Sequence, residues 1–217
     1  MDTQEIPFIK DTWFPKCGSP PYLEPAGKTD EPLARGGAYE SESSEYADAE
    51  GFVAAPHFLR WTAAHDRPVD RIVIHITAGQ SDYRRTVHFF QNPTRHGEPI
   101  KVSAHYVVGR EGEVVQMVRH NDIAYHASSA NRRSIGIEHC ARPPRTFSHD
   151  DLGIMPTASQ YESSARLVRF LCELYSLPMD RTHILGHVEA DPGTSHTDCP
   201  VGAWDWDQFM AILNSLD

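Results

Sequence analysis

Cysteine is scarce in this chain. Its four residues, Cys17, Cys140, Cys172 and Cys199, lie far apart with no Cys-x-x-Cys pair. That spacing excludes a dense disulfide framework and leaves stability to a hydrophobic core. Positive charge is also short: 20 Lys and Arg face 30 Asp and Glu, for a formal net charge of −10. Binding a phosphate backbone needs a basic face, so no nucleic-acid partner is expected. No apolar run approaches the length that spans a bilayer, so no membrane span is expected either. The opening residues, Met1-Asp2-Thr3-Gln4-Glu5-Ile6-Pro7, have neither a basic start nor an apolar stretch. They carry no secretory signal, and the chain reads as soluble and made in the cytosol.

What is present suits one sizeable domain with an appended segment. The chain has 217 residues, 40% of them hydrophobic and 10% aromatic, enough for a real core. Residues 1–55 are rich in Pro, Gly, Ser and acidic residues, as in Tyr39-Glu40-Ser41-Glu42-Ser43-Ser44-Glu45. Such a composition buries little surface and reads as an extended arm, with Trp13, Phe14 and Tyr22 as possible anchors. Residues 56–217 then form the domain.

Within it, Arg71-Ile72-Val73-Ile74-His75-Ile76-Thr77 is a β-branched run and a strand. Alternation puts Ile72, Ile74 and Ile76 on one face and Val73, His75 and Thr77 on the other. Asp82 is placed to cap a helix that runs to about Gln91, with Val87 and Phe90 inward. Ser103 to Gly109 and Glu113 to Val118, joined around Arg110-Glu111-Gly112, read as a hairpin. Ser134-Ile135-Gly136-Ile137-Glu138-His139 is a further strand. Thr157, with Gln160 three residues on, marks a capped helix start. Tyr161, Ala165, Val168, Leu171, Cys172 and Tyr175 then recur at helical spacing, which is plain core packing. Thr182 to Leu185 is a short strand, and Trp204 to about Leu213 a closing helix. Interleaved strands and helices predict an α/β (α+β mixed) fold: a central mixed sheet flanked by helices, plus the N-terminal arm.

The chemistry concentrates in Gly186-His187-Val188-Glu189-Ala190-Asp191-Pro192-Gly193-Thr194-Ser195-His196-Thr197-Asp198-Cys199-Pro200. This Pro- and Gly-broken loop carries two histidines, a cysteine and several carboxylates, a mixture suited to a single metal ion. The chain holds 13 histidines, so a histidine counts only where its neighbours support it. His75, alone, is more often a satisfied core residue, and Cys199, alone, a small buried hydrophobe. The loop following a short strand should bring His187 and Cys199 to the same sheet end as His75. Glu138, between Ile137 and His139, faces either solvent or burial; burial would raise its pKa and suit it to general base work. Two histidines, a thiolate or carboxylate and a nearby Glu form the inventory of a catalytic zinc site. Such a site keeps one position open for water, lowers that water's pKa, and uses a neighbouring base.

Ile74-His75-Ile76-Thr77, Ser103-Ala104-His105-Tyr106-Val107-Val108, Ser134 to Glu138 and the loop from Gly186-His187 to Cys199-Pro200 occur in a familiar order. Over roughly residues 60 to 217 the chain resembles the type-2 N-acetylmuramoyl-L-alanine amidases, which share a fold with peptidoglycan recognition proteins and certain bacteriophage lysozymes. The resemblance implies zinc held by His75, His187 and Cys199, with Asp198 the adjacent alternative for the third ligand. It implies Glu138 as the catalytic carboxylate and His196 as the group that polarises the scissile carbonyl. Tyr125-His126 takes the place of a groove-lining Trp-His pair, so His126, with Asn131 nearby, is expected to touch substrate. Ala104 stands where some relatives place a tyrosine near the zinc.

The implied activity is zinc-dependent hydrolysis of the amide joining the N-acetylmuramoyl group to L-alanine in peptidoglycan. The expected partners are the stem peptide and muramic acid, met by a monomer that acts on the cell wall after release or export. A non-catalytic peptidoglycan-binding module on the same fold would be expected to lose a ligand. A structural zinc domain would need a fourth protein ligand, for which Asp198 or His196 is the candidate.

Overall fold

A computed structural model describes residues 43–79, 81–144 and 151–216. Trp13, Phe14 and Tyr22 lie outside the described residues. The described chain begins with β1 (Gly51–Phe52), β2 (Phe58–Leu59), β3 (Arg71–Ile76) and α1 (Tyr83–Gln91). It continues through β4 (Thr94–Arg95), β5 (Glu98–Pro99), β6 (Tyr106–Val108), β7 (Val114–Gln116), β8 (Ile123–Ala124) and a 3-10 segment, Ser128–Arg133. β9 (Ser134–His139), α2 (Ala158–Tyr175), β10 (Ile184–Gly186), α3 (His187–Ala190) and α4 (Trp206–Ser215) complete it.

Six strands form one mixed sheet in the order β1-β7-β6-β9-β3-β10. β6, β9, β3 and β10 run parallel, and β7 is antiparallel to β6 across the expected hairpin. Two small antiparallel pairs, β2 with β8 and β4 with β5, sit outside it. The central strands are buried on both faces, as parallel strands require. One face carries Ile72, Ile74, Tyr106, Ile135, Ile137 and Ile184 against the apolar stripes of α2 and α4, including Leu167, Leu171, Phe209 and Leu213. The opposite face packs Val107 and Val115 against Tyr83, Val87 and Phe90 of α1. Near β3 and β10 that face packs the small residues Ala127, Ala130 and Ala190 around Val73.

The caps act largely as the sequence predicts. The Asp82 carboxylate accepts from Arg84 N at 2.9 Å, and Thr157 Oγ1 accepts from Gln160 N at 3.1 Å. The second half of the expected capping box does not form. Gln160 is fully buried and its Nε2 donates to Val108 O at 2.9 Å, because that strand-end carbonyl has a stronger claim than an exposed cap. The closing helix starts at Trp206 rather than Trp204, since Asp205 takes the N-cap by accepting from Gln208 N at 3.0 Å.

Packed structure begins before residue 56, within the segment expected to be arm. Tyr46 is 5% exposed and lies in the main core, its ring 5.1 Å from that of Phe170. Gln116 Oε1 accepts from Glu45 N at 2.7 Å and from Ser44 Oγ at 2.9 Å. The Glu45 carboxylate in turn accepts from His120 N at 2.8 Å. Ser44 and Glu45 are tied down because a buried glutamine on the edge-side strand β7 supplies the partner they need.

Candidate metal centre

His75 is the penultimate residue of β3 and Glu138 the penultimate residue of β9, while His187 follows β10 directly. All three therefore gather at the carboxyl ends of parallel strands, where open α/β sheets build their ligand sites. The loop after α3 returns to this end and closes with Cys199. Gly186 makes that return possible: a Cβ there would lie 2.6 Å from Pro200 Cδ. Val188 N donates to Cys199 O at 3.2 Å and fixes the loop's far end beside its start.

One donor atom from each of His75, His187 and Cys199 falls within 4.8 Å of the others, and all three residues are buried. His75 Nδ1 faces Cys199 Sγ at 3.8 Å, and the His75 and His187 rings meet edge-on at 4.7 Å between centroids. Burial and the neighbouring imidazoles hold His75 well below its ordinary pKa, and burial pushes His187 down to about 3. Both shifts favour the neutral imidazole, the form that can offer a lone pair to a metal. His187 Nδ1 is buried with no hydrogen-bond partner among the described residues, while its Nε2 lies 3.3 Å from Thr194 Oγ1. A neutral nitrogen left bare beside a second imidazole and a thiol fits a soft or borderline divalent cation such as zinc. Asp198 is half-exposed, and its carboxylate accepts from Thr197 Oγ1 at 2.9 Å.

Glu138 sits beside His75 in the β3–β9 register and is 1% exposed. Its Oε2 has no hydrogen-bond partner among the described residues, and burial lifts its pKa to about 8. A buried carboxyl oxygen without a partner is costly unless something with positive charge or a proton to give comes to it. His196 is 5% exposed and stacks on His187, with ring centroids 5.1 Å apart at an interplanar angle of 13°. Its backbone N–H donates to Thr194 Oγ1 at 3.1 Å, so Thr194 serves both histidines of the loop.

The two residues expected to touch substrate, His126 and Asn131, both make hydrogen bonds within the protein. His126 is 3% exposed, with Nδ1 3.0 Å from His75 Nε2 and Nε2 3.1 Å from Ser134 Oγ. Both of its nitrogens are engaged inside the protein, by His75 and Ser134. Asn131 Oδ1 accepts from the backbone N–H groups of His126 and Ala127 at 3.0 and 2.7 Å, shaping the turn that carries them. Behind this turn the Arg67 guanidinium donates to the carbonyls of His120 and Ser134 at 2.7 and 2.9 Å. Burial lowers the pKa of Arg67 to about 10. The sequence reading missed Arg67, Ser134 and Thr194. Gly136 was the available signal, because a glycine inside a β-branched strand marks a close approach. A Cβ at Gly136 would lie 2.4 Å from the His126 ring.

A mixed sheet with helices on both faces, gathering imidazoles, a thiol and a bare carboxyl at one end of its parallel strands, is the amidase type of α/β domain. The family follows from the chain itself: residues 65–202 match Amidase_2, described as N-acetylmuramoyl-L-alanine amidase, and the protein belongs to that family. N-acetylmuramoyl-L-alanine amidase A of Achromobacter lyticus is 27% identical over 160 residues, which cover 66% of this chain and 82% of the relative. The 1,6-anhydro-N-acetylmuramyl-L-alanine amidase AmpD of Salmonella typhimurium is 32% identical over 122 residues; the match spans 52% of this chain and 58% of AmpD. A crystal structure of AmpD aligns at TM-score 0.58 with 25% identity, covering 75% of this chain and 93% of the other. An endolysin from Bacillus subtilis aligns at TM-score 0.51 with 22% identity, over 75% and 98% of the two chains, a likeness of fold. Among the described residues no helix is long and apolar enough to cross a membrane.

Proposed function

We propose that this protein is a zinc-dependent N-acetylmuramoyl-L-alanine amidase, cutting the amide between the lactyl group of N-acetylmuramic acid and L-alanine in peptidoglycan. The observation that carries the reading is the donor set of His75, His187 and Cys199 within 4.8 Å, next to the unpartnered Oε2 of Glu138. The names of the Achromobacter lyticus and Salmonella typhimurium relatives support the same bond.

His75, His187 and Cys199 would hold the ion. When bound, zinc supplies Lewis acidity, lowering the pKa of water and polarising an amide carbonyl. Glu138 would take the proton of the attacking water and then deliver it to the departing amine of L-alanine. Burial raises the pKa of this carboxyl in the metal-free protein, and a bound cation beside it would draw it back toward the ionised form that accepts a proton. His196, stacked on His187 and buried, would donate toward the oxyanion that develops on the carbonyl.

The test is zinc content of the purified protein together with release of free stem peptides from purified peptidoglycan, with and without a chelator. Zinc near one equivalent and chelator-sensitive release are expected. Peptidoglycan binding without release would instead place the chain among non-catalytic binding modules.

A further inference from the structure

Ser134, His126 and His75 form a hydrogen-bond chain with a fixed direction. The Ala130 carbonyl can only accept, so the Ser134 hydroxyl, 2.8 Å away, donates to it. The same oxygen then offers a lone pair to His126 Nε2 at 3.1 Å, and that nitrogen carries the hydrogen. An imidazolium sealed at this depth would be expensive, so the ring is neutral and its Nδ1 is a bare acceptor. His126 Nδ1 lies 3.0 Å from His75 Nε2, which must be the donor. The remaining His75 nitrogen, Nδ1, is left with its lone pair facing Cys199 Sγ.

We infer that His126 is a positioning residue, oriented by Ser134, that selects the one tautomer of His75 able to bind a metal through Nδ1. The inference rests on the zinc reading for its purpose, although the tautomer itself does not. Ligating histidines usually donate their second N–H to a carboxylate, a backbone carbonyl or water, which fixes the ring and raises its basicity. Here the acceptor is a neutral imidazole. It fixes the ring while adding no negative charge, so less of the cation's charge is offset.

The alternating residues of β9 serve this arrangement from one face of the sheet. Ser134 anchors the chain of bonds, Gly136 leaves room for the His126 ring, and Glu138 stands beside His75. Asn131 holds the other end by accepting from the His126 backbone N–H.

The test begins with metal-free wild-type protein. Nitrogen-15 multiple-bond spectra of the histidine rings should show His75 protonated at Nε2 and bare at Nδ1. The reverse tautomer overturns the inference whatever the fate of zinc. Zinc affinity by chelator competition supplies the second arm. His126→Phe keeps the bulk and removes the acceptor, and should weaken zinc by roughly 10- to 100-fold. His126→Asn places a carboxamide oxygen near the position of Nδ1 and should recover most of that loss. Phe binding zinc as wild type does, or Asn binding as weakly as Phe, would each contradict a positioning role. Wild-type protein that binds no zinc, yet shows the Nε2–H tautomer, would remove the metal reading and the purpose of the inference together. The reverse tautomer in a zinc-binding protein would remove the inference alone.

Discussion

His75 and Glu138 are register partners on adjacent parallel strands, so the first candidate ligand and the candidate base are neighbours through the sheet itself. A strand pair holds two side chains more rigidly than a loop does, which is what a base serving a metal-activated water requires. Glu138→Gln should therefore keep the fold and the zinc while hydrolysis falls by a factor of about 10² or more. His75→Ala should lose the zinc itself. Stem-peptide release and metal content, measured on both variants, separate the two roles. Activity retained by Glu138→Gln would mean another group moves the proton.

Stability of the metal-free protein should peak between acid and alkaline limbs. Burial pushes His139 and His120 each down to about 4 and His187 to about 3, and it lowers His75, His105 and His126 as well. The unfolded chain protonates these groups near 6.5 and the folded chain only well below it. Their stabilisation is whole above about 6.5 and is lost as pH falls, at up to ~1.4 kcal/mol per pH unit for each group. Glu138 acts in the opposite sense. Raised from 4.5 to about 8, it favours the folded state fully below 4.5 and loses that contribution as pH rises through about 8. Urea unfolding from pH 4.5 to 8.5 should show a steep acid limb and a shallow alkaline one, and Glu138→Gln should flatten the alkaline limb while steepening the acid one, because the Glu138 contribution opposes the histidines there. An alkaline limb that survived the substitution would place its cause elsewhere.

Gly136→Ala tests the clearance under His126. Its new methyl group would sit 2.4 Å from the His126 ring, and a fully buried strand cannot move aside cheaply. A loss of roughly 1–3 kcal/mol in unfolding free energy is expected, together with weaker zinc binding. An alanine variant as stable as wild type would show that the ring has space to retreat.

The core face and the metal-side face were legible because each depends on short-range pattern. Strand alternation separates Ile72 and Ile74 from His75, and the broken loop puts His187 and Cys199 on one connection. What stayed hidden depends on partners distant in sequence. Tyr46 looks like part of a solvated acidic run until Gln116, 70 residues later, binds the adjacent backbone. The seating of the His126 ring against Gly136 and Ser134 depends on a strand that the residues around His126 do not reveal. Gln160 matches a capping box by spacing, but the buried Val108 carbonyl claims its side chain.

Ser44, Glu45 and Tyr46 belong to the packed domain. Deleting residues 1–42 should leave a folded, zinc-binding domain, because Tyr46 and the Glu45–Gln116 contacts remain. Deleting through residue 50 removes a core tyrosine and leaves the Gln116 carboxamide oxygen without two of its donors. A cost of roughly 3–5 kcal/mol is expected from the lost aromatic alone. Thermal unfolding of the two truncations makes the comparison, and equal stability would show that Tyr46 contributes little.

The third ligand is decided between two adjacent residues. Cys199 is 4% exposed with its sulfur 3.8 Å from His75 Nδ1, whereas Asp198 is half-exposed and its carboxylate accepts the Thr197 hydroxyl. Consecutive residues seldom both reach one small ion, and a thiolate is the softer, stronger match to zinc. Coordination also strips the thiol of its proton, so loading zinc at neutral pH should release protons into the buffer. Cys199→Ser should therefore lose most of the zinc and most of that proton release, while Asp198→Asn should keep both. Metal analysis and calorimetry in two buffers of different ionisation heat read these outcomes, and X-ray absorption should place one sulfur at about 2.3 Å from zinc. A wild type with no sulfur in the zinc sphere, together with a Cys199→Ser variant that stays zinc-loaded, would assign the position to Asp198 instead.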